Sequence, residues 1–283
     1  LFPAGSILEA LLCILVIKTG LSGLFFGVYL HYTRRPHKTV TVALSVLYAL
    51  SAYSVVMQHN LMWMDGIMLL PLLILGLHRL IRQKKPVLYT VSLALILLCN
   101  YYIGYMICLF TAIYFFYDFA AHPASVTNPT EERRHFLSTL GRCALFTLLG
   151  VGMAALLLLP AYYSLTFGKN AFSSPDFSFK AKFDILDFLA KLFPGAYDTV
   201  RPNGLPWVYS GVLSLLLVPL YFVDGKIPWR KKIATGCFLL LLFLSMYLNP
   251  LDILWHGGQA PNWLNYRYSF AFCFLALTCA ADV

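Results

Sequence analysis

Residues 87–120 read VLYTVSLALILLCNYYIGYMICLFTAIYFFYDFA, and how often this stretch crosses a bilayer decides the fold. It is apolar almost throughout and lies between two basic clusters, Arg79–Lys85 and Arg133–Arg142. One membrane helix needs about 20 apolar residues, so the stretch is long for one crossing and short for two. Loops rich in Lys and Arg stay on the cytoplasmic side. A single crossing would put the two clusters on opposite sides. Two short crossings of about 16 residues each keep them together. The spacing therefore predicts a fold-back near Asn100-Tyr101-Tyr102.

Outward from this stretch the same pattern repeats. Two further basic clusters, Arg34–Lys38 and Lys226–Lys232, punctuate otherwise apolar sequence. Spans are expected at about 6–31, 39–58, 64–81, 143–166, 208–223, 234–249 and 267–281, about nine in all. The expected fold is an all-α polytopic membrane protein, one transmembrane domain over 1–283. The composition agrees: 60% hydrophobic and 12% charged, with mean hydropathy +0.73. Soluble domains carry about 25% charged residues. The net charge of +9 does not call for nucleic acid, because the basic residues sit beside spans, where orientation explains them. The seven cysteines form no CxxC pair and fall in or beside spans, as small core residues do. The chain begins without Met and stops just after a span, as an internal piece of a longer protein would.

With nine spans, all four basic clusters are cytoplasmic. The outer segments are then His59–Asp65, the Asn100 turn, a loop at about 167–207, and Asn249–Tyr266. Phe183–Phe193 in the long loop alternates as an amphipathic helix expected to lie on the membrane surface. Pro194-Gly195-Ala196-Tyr197 and Arg201-Pro202-Asn203-Gly204 read as turns that could cover a site. The outer segments concentrate His, Asn, Asp, Trp and Tyr, which hydrogen-bond and stack on sugars, so a site is expected at the outer membrane face.

Asp65, two residues after Trp63, is the leading carboxylate, either a base or a helix cap. His59 and Asn60 flank the same turn. Arg267, between Tyr266 and Tyr268, either holds a phosphate in bidentate fashion or anchors the span. His256 and Asn262 share its loop. Lys18 is mid-span, where a charge costs several kcal/mol unless paired or hydrated. Glu9 is roughly 13 Å away along a helix, so Lys18 is expected either to meet a carboxylate outside this chain or a bound phosphate, or to form a structural ion pair. Asn100, Tyr101 and Tyr102 sit below the surface if both crossings are short, as a pocket wall or a tight hairpin. Asp176, Asp184, Asp187 and Asp198 show no ligand spacing, and metal dependence stays open.

The stretches His59-Asn60-Leu61-Met62-Trp63-Met64-Asp65, Asn100-Tyr101-Tyr102-Ile103-Gly104-Tyr105, Trp255-His256-Gly257 and Pro261-Asn262-Trp263-Leu264-Asn265-Tyr266-Arg267-Tyr268-Ser269-Phe270 together resemble the YfhO family of bacterial membrane proteins. That family is similar to the GT-C glycosyltransferases. The resemblance implies an enzyme of the bacterial plasma membrane. It would move a sugar from a polyprenyl-phosphate donor to an envelope polymer such as lipoteichoic acid, on the outer face. Asp65 would then be catalytic. His59, Asn60, Trp63, Asn100, Tyr101, Tyr102, His256, Asn262 and Tyr266 would bind substrate, and Arg267 and Lys18 the donor phosphate. Family members carry an Asp-containing motif in a large outer loop after their first span. That motif does not occur here, so the main catalytic carboxylate is expected upstream of residue 1. A transporter or flippase of lipid-linked sugars and a non-catalytic scaffold are the competing readings.

Overall fold

The computed structural model describes residues 4–122, 128–168, 175–196, 204–261 and 263–283. Among them it is all-helical, apart from one isolated antiparallel bridge between Ala181 and Leu248. The helices are α1 (Ile7–Thr33), α2 (Lys38–Ala49), α3 (Ala52–Val56), α4 (Leu61–Gln83), α5 (Val87–Cys99), α6 (Tyr101–Ala121), α7 (Pro129–Gly168), α8 (Ile185–Ala190), α9 (Val212–Val223), α10 (Trp229–Tyr247), α11 (Asn249–Trp255) and α12 (Phe270–Ala280).

Five described stretches are long and apolar enough to cross a membrane: α1, Lys38–His59, α4, α6 and Thr130–Leu165 within α7. The spans expected near 87–99, 208–223 and 267–281 are apolar helices of only 13, 12 and 11 residues. α7 is the reverse case. Its 40 residues reach about 60 Å at 1.5 Å per residue, about twice the hydrocarbon thickness. The predicted span 143–166 is thus the apolar part of a longer helix.

The chain does fold back at Asn100. This residue is extended (φ −158°, ψ 105°), and its side-chain oxygen accepts hydrogen bonds from the N–H groups of Tyr102 and Ile103 at 3.0 and 2.9 Å. It ends α5 and caps α6 in one step. Direction follows from the packing. Gly76 of α4 lies so close to α5 that a Cβ there would fall 2.5 Å from the Tyr89 nitrogen. Gly66, earlier in α4, sits against Ile103 and Ile107 of α6. Arg82, at the end of α4, pairs with Asp118 near the end of α6 at 3.0 Å. α4 and α6 therefore run parallel, and α5 returns between them.

The four basic clusters gather at one end of the bundle. Arg79 lies over the Tyr32 ring at 5.1 Å. Arg142 donates to the Leu80 carbonyl at 3.3 Å. Arg34 and Lys231 both meet Asp282, at 3.4 and 2.8 Å, and Arg230 donates to the Ala120 carbonyl at 2.9 Å. The core above this basic end is aromatic. Phe26 stacks on Tyr48 at 4.5 Å, with the Phe274 edge against both, which ties α1, α2 and α12 together. Around the outside, Leu8, Leu148, Leu156 and Leu159 are exposed, as side chains facing lipid are.

The Phe183–Phe193 segment differs from expectation. Only α8 is helical, opened by the Asp184 carboxylate accepting from Leu186 N–H at 2.7 Å. Phe188 is buried against Phe243 and Phe272, and Lys191 lies over the Trp207 ring at 4.0 Å. Phe188 thus anchors the segment on α10 and α12, while Ile185, Leu186, Leu189 and Phe193 stay exposed.

Candidate functional site

The polar side chains of interest meet at the end of the bundle opposite the basic clusters, here called the far end. Asp65 lies in the second turn of α4, which starts at Leu61, so it does not cap that helix. Its Oδ1 is 2.8 Å from Lys18 Nζ, and Lys18 also donates to the Leu61 carbonyl at 2.9 Å. Of the readings open for Lys18, the structure shows an ion pair within the chain; a carboxylate outside it is not needed. α1 reaches past the start of α4, so residue 18 is level with the first turns of α4, although it is mid-helix in α1. Both side chains are partly exposed, 19% and 16%. That leaves them within reach of a ligand.

Arg267 is held in an aromatic clamp. Its guanidinium carbon is 5.1 Å from the Trp63 ring centre and 5.0 Å from that of Tyr102, a double cation–π contact. Nε donates to the Leu264 carbonyl at 3.0 Å and one Nη to the Trp263 carbonyl at 2.6 Å. Tyr53 donates its hydroxyl to the Arg267 carbonyl at 2.6 Å. The backbone around it is strained, with Leu264 at φ 54° and Tyr266 at φ 58°, the left-handed region that non-glycine residues avoid. The consequence is that Tyr266 and Arg267 serve different surroundings: Arg267 turns to Trp63 and Tyr102, while Tyr266 carries Lys182 over its ring at 4.8 Å.

A third group was not foreseen from sequence. Asp252 is fully buried and forms an ion pair with Lys182. The Tyr268 hydroxyl lies 2.8 Å from Asp252 Oδ1 and 2.7 Å from the Ser245 carbonyl, so its one proton is divided between two acceptors. His256, one turn on, donates Nδ1–H to the Asp252 carbonyl at 2.7 Å. Its Nε2 is buried and has no hydrogen-bond partner among the described residues. Burial lowers the pKa of this imidazole, and nearby Asp252 opposes that. A neutral ring with Nδ1 protonated presents Nε2 as an acceptor. The Tyr102 ring, 6.2 Å away, joins His256 to the arginine clamp. The sequence signal was an acid inside an apolar run, Pro250-Leu251-Asp252-Ile253-Leu254. Such an acid needs a buried cation.

The remaining predicted residues divide. His59 and Asn60 bond locally: His59 Nδ1 to the Val56 carbonyl and Asn60 Nδ2 to His59 Nε2, each 2.8 Å. Asn100 is the helix cap. Tyr101 is exposed. Asn262, Asp198 and the turn at 201–203 lie outside the described residues. Among the described residues no cluster of His, Cys, Asp or Glu could hold a metal ion.

An all-helical membrane protein whose chemistry-bearing side chains gather at one end, with its basic loops at the other, is the class defined so far. The sequence model of the family described as "Bacterial membrane protein YfhO" matches residues 1–283, and the chain belongs to that family. It is 27% identical over 246 residues to a Bacillus subtilis (strain 168) relative named "Uncharacterized protein YfhO". That match covers 86% of this chain and 25% of the relative, so the chain spans about a quarter of the relative's length. No solved structure matches.

Proposed function

We propose that the protein is a GT-C-type glycosyltransferase with about nine crossings when α5, α9, α10 and α12 are counted with the five longer stretches. It moves a sugar from a polyprenyl-phosphate donor to an envelope polymer such as lipoteichoic acid. The basic end is cytoplasmic, following the orientation bias of Lys and Arg, and the far end faces outward. The observation that carries the reading is that an Asp65–Lys18 carboxylate–ammonium pair and the aromatic-clamped Arg267 lie at the same end of the bundle.

In the proposed step, a base takes the proton of an acceptor hydroxyl. The acceptor oxygen bonds to the anomeric carbon from one face. The bond from that carbon to the donor phosphate oxygen breaks on the other, and the electron pair leaves with the polyprenyl phosphate. Arg267 and Lys18 stabilise that charge. In this reading Asp65 is such a base once an arriving phosphate draws Lys18 away from it. Trp63 and Tyr102 hold Arg267 in place, and His256 packs against Tyr102.

A transporter of lipid-linked sugars needs polar groups along a path from face to face. The aromatic packing of Phe26, Tyr48, Phe110 and Phe274 between the two ends favours the enzyme. The test is Asp65→Ala and Arg267→Ala in the full-length protein, expressed in cells lacking the native copy. Reduced envelope glycosylation per folded molecule is expected. Unchanged glycosylation in both would defeat the assignment.

A further inference from the structure

Beside the arginine clamp is a pocket of about 420 Å³ whose lining includes Asp176, Lys180, Lys182, Asn249, Asn265 and Tyr266. Its size falls in the range of small-molecule sites. It is also built. The 176–182 segment is seated on the α10–α11 junction by two backbone hydrogen bonds: Lys182 N–H to the Tyr247 carbonyl at 2.9 Å, and Asn249 N–H to the Lys180 carbonyl at 3.1 Å. Asn249 Nδ2 donates to the Asp176 carbonyl. Behind this wall, Lys182 reaches the buried Asp252. A strand-like bridge, a side-chain amide and a buried ion pair thus fix the wall in place.

The chemistry of the lining points to a class of ligand. Charges balance: Lys180 pairs with Asp176 at 3.1 Å and Lys182 with Asp252. Among the described residues each charged group of the lining has an opposite partner, that of Lys182 being Asp252 behind the wall. Donors and acceptors are interleaved, with ammonium groups, a carboxylate and amides, over a tyrosine ring. Hydroxyl groups donate and accept at once, so this lining suits a neutral ligand dense in hydroxyls. Asp176 stays ionised throughout, since hydrogen bonds from Ser178 and Lys180 hold its carboxyl down to about 2. Tyr266 lines the pocket while the next residue, Arg267, enters the clamp. A ligand here would therefore lie beside the candidate phosphate site.

We infer that this pocket is a neutral-saccharide subsite. Its use as the seat of the sugar acceptor rests on the transfer reading above; the binding itself does not. The test uses the full-length protein in nanodiscs, with methyl α-glucoside as probe in saturation-transfer NMR. Inorganic phosphate serves as competitor. Saturation transfer to the glycoside is expected, with affinity about tenfold weaker in Asn249→Ala and Asp176→Asn, each of which loses a polar contact. Lys180→Ala, a largely exposed position that leaves the fold intact, should weaken it in the same direction. Lys84→Ala at the basic end should match the wild type. No glycoside signal in the wild type, equal signals in all variants, or displacement by phosphate would each overturn the inference. Glycoside binding retained in a protein that transfers no sugar would defeat the transfer reading alone.

Discussion

Lys18 Nζ lies 2.8 Å from Asp65 Oδ1, joining the middle of α1 to the second turn of α4. Removing one partner leaves a partly buried charge unmatched. Lys18→Met and Asp65→Leu singly are expected to destabilise the protein by about 1–3 kcal/mol, below the cost for a fully buried pair. The double variant should recover much of that loss, because no lone charge remains. Melting in detergent of the four proteins, read as a double-mutant cycle, checks this. Additive losses would mean that the pair is not formed.

Asp118 makes a similar pair with Arg82 at the basic end, with the carboxylate buried and His122 3.3 Å away. Asp118→Ala should cost about 3 kcal/mol. Yet it should leave sugar transfer per folded molecule unchanged, since it lies at the end away from the proposed site. A stability measurement together with specific activity separates the two effects.

His256 gives the far end a pH dependence. Its folded pKa is lowered, so below the ordinary histidine value of about 6.5 the unfolded chain binds the proton more readily. Stability from this group is therefore present at neutral pH and falls as pH drops below about 6.5. Asp252, Lys182, Arg267, Tyr102 and Tyr268 surround it. In His256→Gln the drop in melting temperature between pH 7.5 and 5.5 should be smaller than in the wild type.

Sidedness is open to chemical labelling. With the seven native cysteines replaced, Phe179→Cys should react with an impermeant maleimide in intact cells, and Pro36→Cys only after the membrane is opened. The opposite pattern would turn the protein over and move the proposed site to the cytoplasm.

The fold-back at Asn100 was legible because two basic clusters constrain 87–120 from both sides, and asparagine is a good helix cap. Trp63, Tyr102, His256 and Arg267 were legible as separate residues, since each combines an aromatic or polar group with the end of a span. Their convergence depends on Tyr266 and Leu264 adopting left-handed backbone, which residue type argues against. Lys18 was legible as a charge in need of a partner, but the offset of α1 against α4 is set by packing, so Asp65 was not. Lys182 and Asp252 are 70 residues apart, one in a loop and one in a short helix. Only the docking of that loop on α10 brings them together.

The most direct test of the account is transfer by the purified full-length protein in liposomes, supplied with a radiolabelled polyprenyl-phosphate sugar and an acceptor polymer. The account predicts label in the polymer, and a loss of roughly 100-fold or more in Arg267→Ala, the size expected when a group stabilising transition-state charge is removed. Transfer at the wild-type rate by both Arg267→Ala and Asp65→Ala would contradict it.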